Sequence, residues 1–135
     1  MKVRTAALTV LAPKGRVFRY LSDIRNLPKW ATEFCRELKM EGGRHKVLTC
    51  PAMGSQELFV QVQADEETGV MDYLVGPSED RMVVFPARVV QLPGGASLIL
   101  FTLLQAPGTS DEQFEAQYQS LKKEFENIKQ EFVKW

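Results

Sequence analysis

Two charged residues stand in strongly apolar segments, where a buried charge could carry chemistry. Asp72 lies within the run 70–75, and Arg88 lies within the run 84–90. An inward carboxylate has a raised pKa suited to acid or base work, and an inward guanidinium can orient an acidic head group. The alternatives are a rim carboxylate and a snorkelling surface arginine. Asp72 is therefore the candidate catalytic residue, and both are candidate ligand contacts.

Other reactive residues lack the spacing of common catalytic or metal sites. His45 is the only histidine, and Cys35 and Cys50 belong to no CxxC pair. GxSxG, P-loop and dinucleotide fingerprints are also missing, which argues against most nucleophilic hydrolases, NTPases and Rossmann enzymes. The sequence predicts no metal site and no cofactor, and we expect reduced, structural cysteines.

Composition limits the classes of protein to which the chain can belong. Its 135 residues include 17 basic and 17 acidic side chains and 44% apolar residues, which predicts one compact domain over residues 1–135. Without excess positive charge, nucleic acid is not an expected partner. No apolar run is long enough to span a membrane and no signal-peptide pattern opens the chain, so integral membrane association is not expected. We expect a cytoplasmic monomer or homodimer.

The first third of the chain predicts one strand and two small helices. Residues 3–12 are rich in Thr and Val, which is typical of a strand. Pro13 can open a first helix because the missing proline N–H would be unpaired there. Asn26 can cap, and Pro28 can start, a second and shorter helix.

Residues 33–105 predict six further strands, separated by short turns. The turn signals lie at 41–43, 51–54, 66–69, 76–78 and 93–95. Such short connections leave no room for parallel crossovers, so the sheet must be an antiparallel meander. If Gly42 and Gly43 form a two-residue hairpin loop, Glu41 faces Arg44 and Cys35 faces Cys50.

The last segment predicts one long amphipathic helix of about 25 residues. Its apolar residues recur in steps of three and four, as Phe114, Tyr118, Leu121, Phe125, Ile128 and Phe132. Either Ser110 with Gln113 or Thr109 with Glu112 can form a capping box at its start. We interpret Tyr118, Leu121 and Phe125 as cavity lining, with solid core and a coiled-coil seam as the alternatives.

These elements predict an α+β fold in which a seven-stranded, curled antiparallel sheet wraps around the C-terminal helix. A straight helix about 10 Å wide cannot fill the hollow of a curled sheet along its whole length. The space left over is either plugged by large side chains or kept as a ligand cavity. Trp30 and Phe34 would close one end, or simply pack the small helix onto the sheet, and Phe85 beside Arg88 is a further candidate ligand contact.

The chain resembles the SRPBCC superfamily, whose START/Bet v1-like members have the helix-grip fold. The resemblance covers nearly the whole chain and rests on short motifs at 9–13, 17–23, 26–30, 69–72 and 110–114. The third motif reads NLPKW. The mid-sheet motif GVMD and the last motif, SDEQF, look like those of the polyketide cyclase/dehydrase-type branch. The resemblance implies a hollow domain that binds an apolar small molecule, lipid or polyketide-like compound, and in some members cyclises or dehydrates it.

Three functions follow from these observations. The leading hypothesis is a cofactor-free module that binds a hydrophobic or amphipathic small molecule, lipid- or polyketide-like, between the C-terminal helix and the sheet. The alternative is a cyclase/dehydratase-type enzyme that uses Asp72 as acid or base and Tyr118 or Arg88 to polarise a carbonyl. A third possibility is a protein-interaction module.

Overall fold

The computed structural model describes residues 1–133, so the last two residues of the predicted domain, 134–135, lie outside the described residues. The strands are β1 (Val3–Val10), β2 (Cys35–Glu41), β3 (Arg44–Thr49), β4 (Glu57–Asp65), β5 (Val70–Gly76), β6 (Val83–Phe85), β7 (Ala87–Gln91) and β8 (Ser97–Leu104). The α-helices are α1 (Lys14–Ser22), α2 (Leu27–Trp30) and α3 (Asp111–Glu131). Short 3-10 turns lie at Ile24–Asn26, Pro51–Met53 and Pro93–Gly95.

The strands form one antiparallel sheet in the order β1-β8-β7-β5-β4-β3-β2, with β6 paired to β5 beside this path. The sheet curls but does not close, so β1 and β2 are its edges. α3 lies across its concave face and packs against β1 and α2. The predicted α+β helix-grip architecture is confirmed, with two short α-helices after the first strand.

The described sheet has eight strands rather than seven because proline divides one predicted strand into β6 and β7. Tyr73 pairs with Phe85, and Val70 pairs with Arg88 in the same register. Pro86 falls between these pairs and has no N–H to donate to the ladder. Two residues of β5, Met71 and Asp72, therefore have no partner on this side of the described sheet where β5 passes from β6 to β7.

The hairpin between β2 and β3 is built as predicted at its tip but not at its base. Glu41 pairs with Arg44 across Gly42 and Gly43, both of which have positive φ. Further down, Cys35 pairs with Thr49, so the predicted pairing of Cys35 with Cys50 is wrong. A bulge between Cys35 and Glu37 inserts one extra residue into β2 and shifts the register. Both cysteines are free thiols.

Polar contacts tie the helical connection after β1 to the sheet. β1 ends at Val10, two residues earlier than predicted. Just after it, the Ala12 carbonyl accepts a hydrogen bond from the Ser97 hydroxyl of β8 at 2.6 Å. The Tyr73 hydroxyl donates to the Leu21 carbonyl at the end of α1. Asn26 does not cap α2 with its side chain, which donates to the Tyr20 carbonyl instead. α1 is thus fixed over one end of the sheet.

The long helix begins and packs largely as its sequence predicts. Ser110 and Gln113 form the capping box, and α3 extends for 21 residues, or about 32 Å. The buried side chains of its apolar stripe are Phe114, Leu121, Phe125, Ile128 and Phe132. No helix within residues 1–133 is long and apolar enough to cross a membrane.

We predict that alanine at Gly69 destabilises the fold far more than alanine at Gly43. Both glycines have a positive φ, of 80° and 78° respectively, which costs about 1 kcal/mol for a residue with a Cβ. A Cβ at Gly69 would additionally lie 2.1 Å from the Val89 carbonyl oxygen, whereas nothing lies within 4 Å at Gly43. Urea denaturation should give a loss of about 1 kcal/mol for Gly43→Ala and about 3 kcal/mol or more for Gly69→Ala. Equal losses would contradict the close approach of β5 and β7.

Candidate functional site

A cavity of about 690 Å³ lies between α3 and the concave face of the sheet. α3 packs along β1, at one edge of the sheet, while the cavity is lined from β4, β5, β6 and β8. The helix is straight and the sheet curves away from it, so the two surfaces separate beyond the packed edge. This cavity is the candidate functional site.

The sheet side of the cavity and the α2 segment supply an almost wholly apolar wall. Five aromatic side chains line it, Trp30, Phe34, Tyr73, Phe85 and Phe101. Several of these rings contact one another edge to face, with centroids 5.3 Å apart for Tyr73 and Phe101 and 6.0 Å apart for Trp30 and Tyr73. Such contacts hold the rings in fixed orientations. The wall is therefore a preformed aromatic surface.

The helix side of the cavity is more polar. The lining residues from α3 are Gln113, Ala116, Gln117, Ser120, Leu121 and Glu124. They recur at helical spacing and flank the stripe that packs into the core. The cavity is thus amphipathic, with polar groups on one side and aromatic rings on the other.

Glu124 is the buried charge of this site. Its side chain is 6% exposed, and its Oε2 accepts the backbone N–H groups of Glu33 and Phe34, both at 3.1 Å. Burial raises the pKa of Glu124 to about 8, and the two backbone hydrogen bonds oppose that rise. The carboxyl group therefore holds its proton near neutral pH and can give it up at slightly higher pH, as an acid or base group must.

The same stretch of chain is held to α3 by a second polar contact. The Asn127 amide donates to the Trp30 carbonyl at 3.0 Å and to the Thr32 hydroxyl at 2.8 Å. Trp30 itself is 3% exposed, and its indole N–H has no partner among the described residues. Glu124 and Asn127 together fix the segment 30–34, which carries two of the aromatic lining residues.

The cavity reaches the surface between two connecting segments. Ala52 and Gln56, between β3 and β4, are exposed lining residues. Pro107 and Gly108, between β8 and α3, are exposed on the other side of the same opening. A small molecule could enter there without passing through the packed edge at β1.

Four of the predicted site residues lie together in this cavity. Trp30, Phe34, Phe85 and Leu121 all line it. They come from α2, the link after it, β6 and α3, so they meet only through the tertiary fold.

The other four predicted residues lie elsewhere. Asp72 pairs with Gln63, and Arg88 is exposed with its Nε 3.4 Å from the Thr68 carbonyl. Tyr118 is half-buried under the Arg4 guanidinium, which lies 3.9 Å from its ring centroid. Phe125 is buried in the hydrophobic core. None of the four contributes to the lining of the cavity.

Sequence reasoning missed Glu124, although the sequence holds a signal for it. A surface glutamate on a helix commonly has a basic partner three or four residues away. Around Glu124 those positions are Ser120, Leu121, Asn127 and Ile128, none of which is charged. A lone carboxylate at the margin of the apolar stripe was therefore a better candidate for an inward acid than Asp72.

Comparison with solved structures shows the fold. XoxI from Bacillus cereus is 14% identical with a TM-score of 0.76, covering 99% of this chain and 97% of its own. The ZhuI aromatase/cyclase from Streptomyces sp. R1128 is 15% identical with a TM-score of 0.70, covering 98% and 93%. A START superfamily protein from Mycobacterium smegmatis is 14% identical with a TM-score of 0.64, covering 96% and 97%. The chain thus has an SRPBCC-type helix-grip fold.

No family model matches the sequence, and no curated protein matches it.

We predict that Glu124 makes the stability of the fold decrease with rising pH. The folded chain retains the Glu124 proton up to about pH 8, whereas the unfolded chain loses it near the ordinary value of 4.5. Between these values the folded state binds more protons, so the free energy of unfolding falls as pH rises, by at most about 1.4 kcal/mol per pH unit. Urea denaturation of wild type and Glu124→Gln from pH 5 to pH 8 measures this fall, which the variant should lack.

Glu126→Gln is the matched control, because Glu126 is exposed on the same helix and does not line the cavity. Its pH profile should follow that of wild type. Parallel profiles for wild type and Glu124→Gln would contradict the buried, protonated carboxyl.

Proposed function

We propose that this chain binds a hydrophobic or amphipathic small molecule in the cavity between α3 and the sheet. The observation that carries the proposal is the cavity itself, at about 690 Å³ with five aromatic side chains in its lining. Ligand sites of proteins typically measure about 300–1,000 Å³ and combine an apolar wall with a few polar groups. The cavity meets both criteria.

The two sides of the cavity suggest how a ligand would lie. An apolar body of lipid- or polyketide-like character would contact the rings of Trp30, Tyr73 and Phe101, which would exclude water from it. A polar end would meet Gln117, Ser120 or Glu124 on α3, where hydrogen-bonding groups face the cavity. An amphipathic molecule would satisfy both sides at once.

A second candidate function is acid–base catalysis in the same cavity, of the cyclase/dehydratase type. Glu124 favours it, since a carboxyl group with a pKa of about 8 can both donate and accept a proton near neutral pH. The carboxyl group also stands beside the aromatic wall that would hold a substrate. In this proposal Glu124 takes the acid or base role, because Asp72 lies outside the cavity lining.

Partly blocking the cavity should weaken ligand binding without unfolding the chain. Ala116 is exposed at the surface and lines the cavity, so Ala116→Trp would place a large ring in its opening. The uncharged probe N-phenyl-1-naphthylamine should bind wild type with enhanced fluorescence, and Ala116→Trp should weaken that binding by about tenfold or more. Native mass spectrometry of protein purified from cells would show whether a cellular ligand occupies the same cavity.

Gln119→Trp is the control, because Gln119 is exposed on α3 outside the cavity lining. Its affinity for the probe should equal that of wild type. If the probe binds neither wild type nor control, or if Ala116→Trp binds it normally, the cavity is not the binding site.

The catalytic candidate makes a separate prediction about two carboxylates. If wild type cyclises or dehydrates a polyketone substrate, Glu124→Gln should lower kcat by about a hundredfold or more, because the proton-transfer group is lost. Asp72→Asn should leave kcat within about twofold, since Asp72 lies outside the cavity lining. The reverse pattern would assign the chemistry to Asp72 and reject Glu124.

A further inference from the structure

The ionisable groups that face the cavity have a single sign of charge. Among the described lining residues there is no Lys, Arg or His, while two are acidic, Glu33 and Glu124. Tyr73 is the other titratable side chain of the lining, and its hydroxyl donates to the Leu21 carbonyl. The strands that form the aromatic wall thus add no charge to the site.

This distribution discriminates against acidic ligands. A carboxylate that entered the cavity would leave its water shell and find no cation with which to pair, and burying an unpaired charge is expensive. It would also face Glu33 and Glu124, which repel it when ionised. Fatty acids and other carboxylates are therefore poor candidates for the ligand.

The same lining suits a positive charge. Glu124 has one oxygen, Oε2, that accepts two backbone N–H groups, and its other oxygen, Oε1, has no hydrogen bond or ion pair with any residue in 1–133. The side chain is nine-tenths buried, so an ion pair with Oε1 would be shielded from solvent. Glu33, the other acidic residue of the lining, is adjacent, because its backbone N–H donates to Glu124.

The aromatic wall supplies a second and independent attraction for cations. The negative faces of aromatic rings attract ammonium groups, and proteins recognise alkylated amines in cages built of such rings. Trp30, the strongest ring type for this contact, joins α3 through the bond from Asn127 to its carbonyl. A carboxylate and several aromatic rings in one amphipathic cavity form a recognisable site for an organic amine.

We propose that the ligand is a cationic amphiphile, in which a protonated amine pairs with Glu124 and an apolar body lies against the aromatic wall. This inference rests on the proposed function, because it names the class of molecule that the same cavity takes. Amines should bind most tightly, alcohols with the same apolar body should bind more weakly, and the corresponding carboxylates should bind least.

Ligand charge also determines how binding responds to pH. Two titratable groups interact electrostatically with the Glu124 carboxyl group, Glu33 after α2 and the buried Cys35 thiol at the start of β2. Burial raises the pKa of Cys35 to about 11, so the thiol stays protonated from pH 6 to pH 8. The other polar lining residues nearby on α3, Gln117 and Ser120, are neutral, and the Tyr73 hydroxyl of the sheet donates to the Leu21 carbonyl. Without ligand, Glu124 holds its proton up to about pH 8. An ammonium group favours the ionised form, so binding releases a proton to solvent and tightens as pH rises from 6 to 8. An alcohol produces no such change.

A series of ligands with the same chain and different head groups tests the proposal. Isothermal titration calorimetry, with decylamine and decanoate below their micelle concentrations and decan-1-ol below its solubility limit, should give the affinity order amine, alcohol, carboxylate at pH 8. Glu124→Gln should weaken decylamine binding by about ten- to a hundredfold and leave decan-1-ol within about threefold. Glu126→Gln, on the outer side of α3, should bind all three as wild type does.

The outcomes separate the two proposals. If no member of the series binds, the cavity is not a ligand site and the proposed function fails. If decan-1-ol binds and decylamine binds no better, or if decanoate binds best, the site takes apolar ligands without selecting a cation and this inference is overturned. Should Glu124→Gln fail to fold, the order of affinities in wild type and the pH dependence of decylamine binding decide the question.

Discussion

The structure depends on a mismatch of shape between one straight helix and a sheet that curls away from it. α3 is fixed at its start by the capping box of Ser110 and by the ion pair between Arg4 of β1 and Glu115. Near its end, Phe132 packs edge to face on Tyr20 of α1, with ring centroids 5.5 Å apart. Held against β1 at its start and against α1 at its end, the helix leaves part of the concave surface of β4 and β5 uncovered. The uncovered concave surface becomes a cavity because side chains from both sides are too short to meet across it.

The polar contacts between α3 and the segment 30–34 link this architecture to its chemistry. Glu124 accepts the backbone N–H groups of Glu33 and Phe34, and Asn127 donates to the Trp30 carbonyl, so three backbone groups of that segment are tied to α3. Holding the segment places Trp30 and Phe34 in the cavity wall. The contact is costly for the fold, because a carboxyl group must leave water and keep its proton. A buried carboxyl group that destabilises the fold and lies beside a ligand-sized cavity is typical of a functional site, because binding and catalytic groups are often kept at the expense of stability.

Much of the fold can be predicted from the sequence, because strong local patterns determine it. The steps of three and four from Phe114 to Phe132 indicate α3, and short turns allow only an antiparallel meander. The details that failed depend on single residues whose effect is tertiary. Pro86 divides a strand, and a bulge beside Cys35 changes one register. For the site, both faces of β5 are apolar in sequence, so Asp72 could not be assigned to the concave or the convex face. The position of Glu124 depends on how α3 rotates against the segment 30–34, which helical periodicity alone leaves open.

The proposed function requires that the cavity between α3 and the sheet is present without a ligand. A crystal structure determined under xenon pressure tests it most directly, because xenon binds in apolar cavities without needing a specific partner. Xenon should bind between Leu121 of α3 and the rings of Tyr73 and Phe101, with those rings in their present orientations. An interior without xenon, in which Phe34 and Phe85 have moved inward to pack against α3, would contradict it.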